Sequence, residues 1–463
     1  MSGSVDGGLD LRGADPEGAL RLAEEVVRLA SAAGAGEAEA LVMAGDSALT
    51  RFANSEIHQN VASSEVYINL RVAQGRRVGV ASTGRIDAEG LRAVVERAVA
   101  IAGAVEELPD WAGLPPAGAG PRAPLAGAWA DGTAAFTPEQ RAEGARAVIA
   151  AADAAGVTAF GSFSMDAEAI AVASSTGIRA AERRTSSQLL TVTMGPDGGS
   201  GYAEQCSVDA TRIDAAAIGR EAAERARVTA NPVDIAPGDY PVVLNPYAVS
   251  DITDMLGYLG FSALAVAEDR SFFEAGRRVG SDLVTITDDG TDADGFPAGF
   301  DAEGVAKQRL VLLDRGVCRD LAYDQQTAAR AHRASTGHGL PAPNPYGPFP
   351  TNMAMAPGSA SLEELIGGME RGLLVTRFHY TNPVHGKRVV ITGMTRDGTF
   401  LVEGGRIVGP VRNLRFTMSY LDALAGVEAV SRERRCIKGM LGGAVVPALR
   451  IGSFTFTGAT AAG

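Results

Sequence analysis

The sequence predicts an α+β protein of two domains, an α/β domain over residues 1–235 and a β-rich domain of mainly antiparallel strands over residues 236–463. Three observations predict this. The chain of 463 residues is too long for one ordinary core. Helical and strand patterns alternate in the first half, whereas strands and turns dominate the second. Between the halves, residues 229–251 contain a proline-punctuated connector and the strand "YPVVL".

The composition is that of an ordinary globular protein, with 46% hydrophobic and 21% charged residues. The net charge of -13 argues against nucleic acid and anionic lipid as partners, because both need a basic face. No segment approaches the roughly eighteen apolar residues of a membrane span, and residues 1–10 show no signal peptide. Three widely spaced cysteines do not indicate a disulfide framework, so we expect a cytoplasmic protein.

The first predicted elements are a helix, a hairpin and a second helix. Residues 18–34 carry apolar side chains at helical spacing and end on glycine, which predicts an amphipathic helix packed on a sheet. Residues 65–83 alternate, turn at residues 74–77 and alternate again, which is typical of a hairpin. Residues 84–102 predict the second helix.

A short sequence repeat indicates a weak internal duplication in the N-terminal domain. The Arg-Ile-Asp-Ala sequence at residues 85–88 recurs at residues 212–215, again after alternating strands and before an alanine-rich helix. Chance similarity between two alanine-rich helices is the open alternative. The loop between the repeats, residues 104–135, is rich in Pro, Gly and Ala, so it is either a surface linker or an ordered loop bordering a cleft. Trp111 and Trp129 favour order.

A helix is predicted after the "YPVVL" strand, where Asn245 is a natural N-cap and Pro246 a natural first residue. Its apolar stripe is expected to face a core and contains Ala248, Ile252, Met255, Leu256 and Leu259.

The opposite face of this helix offers Asp251, Asp254 and Tyr258. Two carboxylates at i and i+3 can bind a hard cation, but such pairs are usually solvated. The chain has no Gly-x-Ser-x-Gly elbow and no Walker loop, and residues 195–201, "GPDGGSG", are typical of a hairpin turn. The residues alone therefore predict no catalytic and no metal-binding residue, and Asp251 and Tyr258 are retained as cleft candidates.

Four of the five histidines occur in two pairs, His332 with His338 and His379 with His385, each six residues apart. This interval does not place two imidazoles on one helix face, so we interpret all four as single surface or cleft histidines. His379, His385 and Cys436 complete the cleft candidates. Cys436 has no local base, which favours an inert thiol.

Two long segments of the second half, residues 300–339 and 374–424, resemble the TldD/PmbA family. A looser similarity extends over nearly the whole chain and includes "YPVVLNP" and "FSALAVAEDRSFF".

The resemblance implies a cytoplasmic, heterodimeric metallopeptidase. In this family the TldD-type subunit binds zinc through a His-Glu-x-x-x-His helix and a later cysteine, and the TldE (PmbA) type lacks the motif. Here the corresponding positions hold Asp254, Met255 and Leu259, and a thioether or an isobutyl group cannot replace the base or the ligand. Cys436 lies near the cysteine-ligand position, but the match needs a small gap and we interpret Cys436 as structural.

The resemblance therefore implies a noncatalytic TldE-like subunit that has no cofactor of its own. Zinc is expected in a TldD-like partner, and the substrate is expected to be a peptide or a peptide-like amide. Two alternatives stay open. One is a peptide-binding homodimer without protease activity. The other is an autonomous hydrolase with an atypical metal site drawn from Asp251, Asp254, His379, His385 or Cys436.

Overall fold

The fold is a computed structural model that describes residues 14–121, 123, 125–439 and 442–459. Residues 1–10, in which no signal peptide is predicted, lie outside these ranges. The helices are α1 Pro16–Ala32, α2 Ala88–Ala104, α3 Asp131–Ala134, α4 Pro138–Ala154, α5 Ala215–Val228, α6 Pro246–Leu259, α7 Ala263–Ala267, α8 Gln325–Arg330, α9 Leu362–Gly367 and α10 Tyr420–Ala425. None of the described helices is long and apolar enough to cross a membrane.

The strands form two sheets. The first sheet contains β1 Glu37–Ala53, β2 Glu56–Gln74, β3 Arg77–Thr83, β4 Thr158–Ser174, β5 Arg179–Met194 and β6 Ser200–Ser207. The second contains β7 Gly238–Leu244, β8 Ile286–Asp288, β9 Leu310–Asp314, β10 Val317–Cys318, β11 Met353–Met355, β12 Arg371–His385, β13 Val390–Glu403, β14 Arg406–Pro410, β15 Leu414–Ser419, β16 Val427–Lys438 and β17 Gly443–Ala459. The α+β prediction is confirmed.

The first sheet is antiparallel in the order β3-β2-β1-β4-β5-β6, and the chain runs twice through a helix, three strands and a helix. The first unit runs from α1 to α2 and the second from α4 to α5. The first strands of the two units, β1 and β4, pair with each other at the centre of the sheet. This repeat is larger than the predicted strand-strand-helix unit. Helix α4 was not predicted, although Thr137 and Gln140 form a capping box around Pro138 at its start.

The repeated Arg-Ile-Asp-Ala sequence is a helix start in both units. The Asp87 carboxylate accepts a hydrogen bond from the Gly90 amide at 2.7 Å, and the Asp214 carboxylate accepts one from the Ala217 amide at 2.9 Å. The isoleucine before each aspartate is partly buried against the core beneath its own helix. The repeat therefore encodes one capping geometry that is used twice.

The described residues of the loop at 104–135 pack on the protein, as the two tryptophans predict. The Trp111 indole N–H donates to Glu37 at 3.2 Å, and the Trp129 indole N–H donates to Asp131 at 2.7 Å. The Gln326 side chain, from the second half of the chain, donates to the Gly113 carbonyl at 3.0 Å. These contacts favour the ordered-loop interpretation over the linker.

Part of the second sheet closes into a ring, because β7 pairs with both β12 and β17. The ring order is β7-β12-β13-β15-β17. Most pairings are antiparallel, as predicted, and the pairs β7–β12 and β11–β17 are parallel. Phe378, Phe416 and Phe454 are buried together, with the Phe378 and Phe454 ring centroids 5.5 Å apart.

A buried arginine connects the first sheet to the second half of the chain. Arg71 on β2 donates to Glu39 on β1 at 2.9 Å and to Glu303 at 3.1 Å, and all three side chains are less than a tenth exposed. Asp301 lies nearby and accepts backbone hydrogen bonds from Glu303 and Gly339. One guanidinium therefore bridges two buried carboxyl groups, and removing it would leave them without their cation.

We expect Arg71→Met to lower the free energy of unfolding by about 3–5 kcal/mol, because it leaves buried carboxylates without their cation. Urea denaturation followed by circular dichroism measures this. Arg28→Met is the matched control, because the Arg28 pair with Glu25 is exposed and its loss should leave stability nearly unchanged. Equal effects of the two substitutions would contradict the bridging role of Arg71.

Glu303 should make the stability depend on pH. Burial raises the pKa of Glu303 from 4.5 to about 8, with Arg71 opposing the shift and Asp301 adding to it. Between these values the folded Glu303 keeps a proton that the unfolded chain has lost, so its contribution to stability falls as pH rises. We expect the stability difference between the native chain and Glu303→Gln to decline between pH 4.5 and about 8. A difference that rises with pH in urea titrations would contradict this assignment.

Candidate functional site

Helix α6 is the element that carries the metal motif in the resembling family. The Asn245 side chain accepts from the Tyr247 amide at 3.5 Å, and the Asn245 amide donates to the Val375 carbonyl on β12 at 3.0 Å. Pro246 is the first helical residue. On the predicted stripe, Ile252 and Leu256 are completely buried. The helix is therefore held at both its start and its apolar face.

The three degenerate motif positions have different surroundings. Met255 is 7% exposed and belongs to the largest apolar core of the protein, and Leu259 packs partly buried against the same core. Asp254 is half-buried and packs closely against Gly439. A β-carbon added to Gly439 would lie only 2.5 Å from an Asp254 carboxylate oxygen. A buried thioether and a leucine supply neither the base nor the ligands that a hydrolytic zinc needs, so these residues do not fit the metal.

Asp251 contacts other parts of the fold than Asp254 does. One Asp251 carboxylate oxygen accepts from the Tyr420 hydroxyl at 2.5 Å, and the other accepts from the Thr381 hydroxyl at 2.6 Å. Burial raises the pKa of Asp251, and these two hydrogen bonds oppose the shift. Asp251 therefore holds β12 and α10 to the helix. Tyr258 is half-buried, with its ring centroid 6.4 Å from that of Tyr346.

The histidines do not converge. His332 and His385 are exposed, His379 is half-buried on β12, and burial lowers the pKa of His379. His338 is 1% exposed and is not a surface histidine, although it lines a cavity within the fold. Among the described residues, no group of three or more His, Cys, Asp or Glu side chains is placed to hold a metal ion.

His338 belongs to a buried polar network that the sequence did not reveal. The Asp288 carboxylate accepts from His338 Nε2 at 2.9 Å and from the Asn352 amide at 2.7 Å, and it lies 3.3 Å from Lys307 Nζ. Lys307 also donates to Thr351 at 2.7 Å and to Asn352 Oδ1 at 2.6 Å. Because the carboxylate accepts, His338 Nε2 carries the proton. The network joins segments that are distant in sequence.

The pKa shifts within the network follow from burial and from the charge of Lys307. Burial would raise the pKa of Asp288, but the charge of Lys307 and the hydrogen bonds from His338 and the Asn352 amide bring it below its ordinary value. Burial lowers the pKa of Lys307, and Asp288 opposes that shift. Burial and Lys307 both lower the pKa of His338, which favours a neutral imidazole. The network is thus an ion pair of Lys307 and Asp288 supported by a neutral histidine.

A cleft between the two sheets lies beside this network. One part, a cavity of about 390 Å³, has apolar walls from Leu41, Ile170 and Phe349, and Lys307 and His338 line it as well. The adjoining part, about 490 Å³, is more polar, and its lining includes Asp166, Glu168, Arg184, Phe296 and Lys438. Both parts share the lining residues Arg184, Ala298 and Thr351, so they lie side by side in the cleft. Its mixed apolar and charged lining suits a partly apolar ligand that also carries polar groups.

Cys436 lies on β16 in contact with Cys206 on β6. Their sulfurs are 3.1 Å apart although the residues are 230 positions apart in sequence, and both thiols are free. The spacing of the cysteines in the sequence does not predict this contact. No sequence motif identifies the cysteine pair, Lys307 or Asp288, because each becomes significant only next to a residue from a remote segment.

Comparisons with known proteins all point to one family. Residues 38–102 match the PmbA/TldA metallopeptidase domain 1, residues 133–229 its central domain and residues 237–458 its C-terminal domain. The structure of TldE from Thermococcus kodakarensis superposes with a TM-score of 0.86 at 18% identity, covering 94% of this chain and 100% of that one, a likeness that shows the fold.

Curated relatives match over shorter segments. A metalloprotease TldD homolog from Buchnera aphidicola is 30% identical over 171 residues, which is 35% of this chain and 34% of the relative. A metalloprotease from Methanothermobacter thermautotrophicus is 28% identical over 239 residues, or 50% of this chain and 51% of the relative. The matched segments thus span about a third to a half of these relatives.

We expect Met255→Glu to lower the free energy of unfolding by about 2–4 kcal/mol, because it buries a carboxyl group in an apolar core. Met255→Leu is the control and should cost less than about 1.5 kcal/mol, since it preserves apolar volume. Urea unfolding of both variants measures the difference. A Met255→Glu variant as stable as the native chain would mean that this position faces solvent or a polar site.

Proposed function

Because the chain belongs to the PmbA/TldA metallopeptidase family, we propose that it is a noncatalytic, TldE-like subunit of a two-chain zinc peptidase. The observation that carries the proposal is that helix α6 is well packed but lacks zinc-binding side chains at two of its three motif positions. The helix is packed and capped, while its motif positions hold Met255 in the core and the half-buried Leu259. In this proposal the metal and the hydrolytic step belong to a TldD-like partner.

The role left to this chain is to bind the partner and to complete the space that holds the substrate. The cleft between the two sheets supports this role, because its apolar walls and charged rim suit a peptide or a peptide-like amide. An extended peptide would bind chiefly through main-chain hydrogen bonds and would place little demand on sequence. We also infer a cytoplasmic location, which the three free cysteines favour.

The proposal is tested by purifying the chain alone and after co-expression with a TldD-like protein that carries the intact zinc motif. We expect no zinc in the chain alone, about one zinc per heterodimer by elemental analysis, and a heterodimer mass by size-exclusion chromatography with light scattering. Peptide cleavage should require both chains. One zinc per chain in the isolated protein, or a partner that cleaves equally fast alone, would contradict the proposal.

Two substitutions separate this role from that of an autonomous hydrolase. Asp254→Asn and Cys436→Ser remove side chains that could bind zinc, and we expect both variants to leave the zinc content of the heterodimer unchanged. Loss of zinc in either variant would assign a ligand to this chain. A peptide-bound homodimer that does not bind the partner would favour the peptide-binding alternative.

A further inference from the structure

Two cysteines from the two halves of the chain meet at the contact between the sheets. Cys206 lies on β6, an edge strand of the first sheet, and Cys436 lies on β16, which pairs with β17 of the second. The two sulfurs are 3.1 Å apart, and Cys206 Sγ lies at the same distance from the Cys436 carbonyl oxygen. A disulfide bond is about 2.0 Å long, so the sulfurs need to approach by only about 1 Å.

The surrounding contacts hold the two strands in place. Arg435, next to Cys436, donates to Glu221 on α5 at 2.9 Å and contacts the Tyr247 hydroxyl. That hydroxyl accepts from the Glu204 amide on β6 at 3.2 Å. The chain flanking each cysteine is therefore fixed to the opposite half by hydrogen bonds. The proximity of the two thiols results from the domain contact and does not require a rearrangement.

The two thiols differ in their access to solvent. Cys206 is 7% exposed, whereas Cys436 is half-buried. Both line a cavity of about 570 Å³ whose other walls include Glu221, Arg434 and Arg435. The contact with Cys436 and burial both raise the pKa of Cys206. A small oxidant entering the cavity would therefore meet Cys436 first, with Cys206 directly behind it.

We propose that Cys206 and Cys436 are a dithiol site for hydroperoxides and form a reversible disulfide that links the two halves of the chain. Cys436 attacks one peroxide oxygen, the O–O bond breaks, and the second oxygen leaves as water or an alcohol, which makes Cys436 a sulfenic acid. Cys206 then attacks that sulfur, and the hydroxyl group leaves with the Cys206 proton as water. The peroxide takes up the two electrons that the sulfurs lose.

This inference is independent of the proposed function, because it uses neither the zinc motif nor a partner. The test treats the reduced full-length chain with graded hydrogen peroxide, blocks remaining thiols under denaturing conditions and identifies peptides by mass spectrometry. We expect a Cys206–Cys436 cross-linked peptide, a loss of two of the three blockable thiols and complete reversal by dithiothreitol. Three blockable thiols after treatment, or cross-links only between molecules, would overturn the inference.

Variants test the order of attack. Cys318→Ser is the matched control, because Cys318 is completely buried elsewhere, and it should form the cross-link as the native chain does. In Cys206→Ser the sulfenic acid on Cys436 has no second thiol to attack it, so we expect labelling of Cys436 by dimedone. Cys436→Ser should show neither label nor cross-link. The assignment of Cys436 as the attacking thiol would be overturned if dimedone labelled Cys206 in the Cys436→Ser variant but did not label Cys436 in the Cys206→Ser variant.

Discussion

The double pairing of β7 is the constraint on which the rest of the structure depends. This strand pairs in parallel with β12 and antiparallel with β17, and so closes the ring of the second sheet. Helix α6 starts directly after it, with the Asn245 amide bonded to β12, so the direction of the helix is set by the ring. Tyr247 in its first turn reaches the first sheet through Glu204. One short strand thereby positions the core, the degenerate motif and the contact between the sheets.

Buried polar groups stabilise both the contact between the two halves and the interior of the second half. Arg71 joins Glu39 to Glu303, and Lys307 joins Asp288 to the segment that contains Asn352. Such groups are costly to bury and are tolerated only when their partners are in place, so they penalise any misaligned arrangement of the sheets more than apolar contacts would. Lys307 also lines the cleft, so this ion pair fixes part of the cleft wall.

Under the proposed function, helix α6 keeps the architecture of a catalytic element without its chemistry. Its position depends on the cap at Asn245 and on buried residues such as Ile252 and Leu256, none of which is a motif position. The motif positions can therefore change without displacing the helix. A methionine buried in the core adds apolar contact where a glutamate would need a metal or a hydrogen-bond network to be stable.

The sequence by itself determined the local features: the hairpin at residues 65–83, the caps at Asp87 and Asp214, and the start of α6 at Asn245. Each depends on residues within a few positions of one another, so composition and periodicity contain the information. Tertiary structure alone decided the ring, the buried state of His338, the Lys307–Asp288 pair and the contact of Cys206 with Cys436. In each of these the partners are far apart along the chain, and only tertiary folding brings them together, within the second half for the first three and between the two halves for the cysteines.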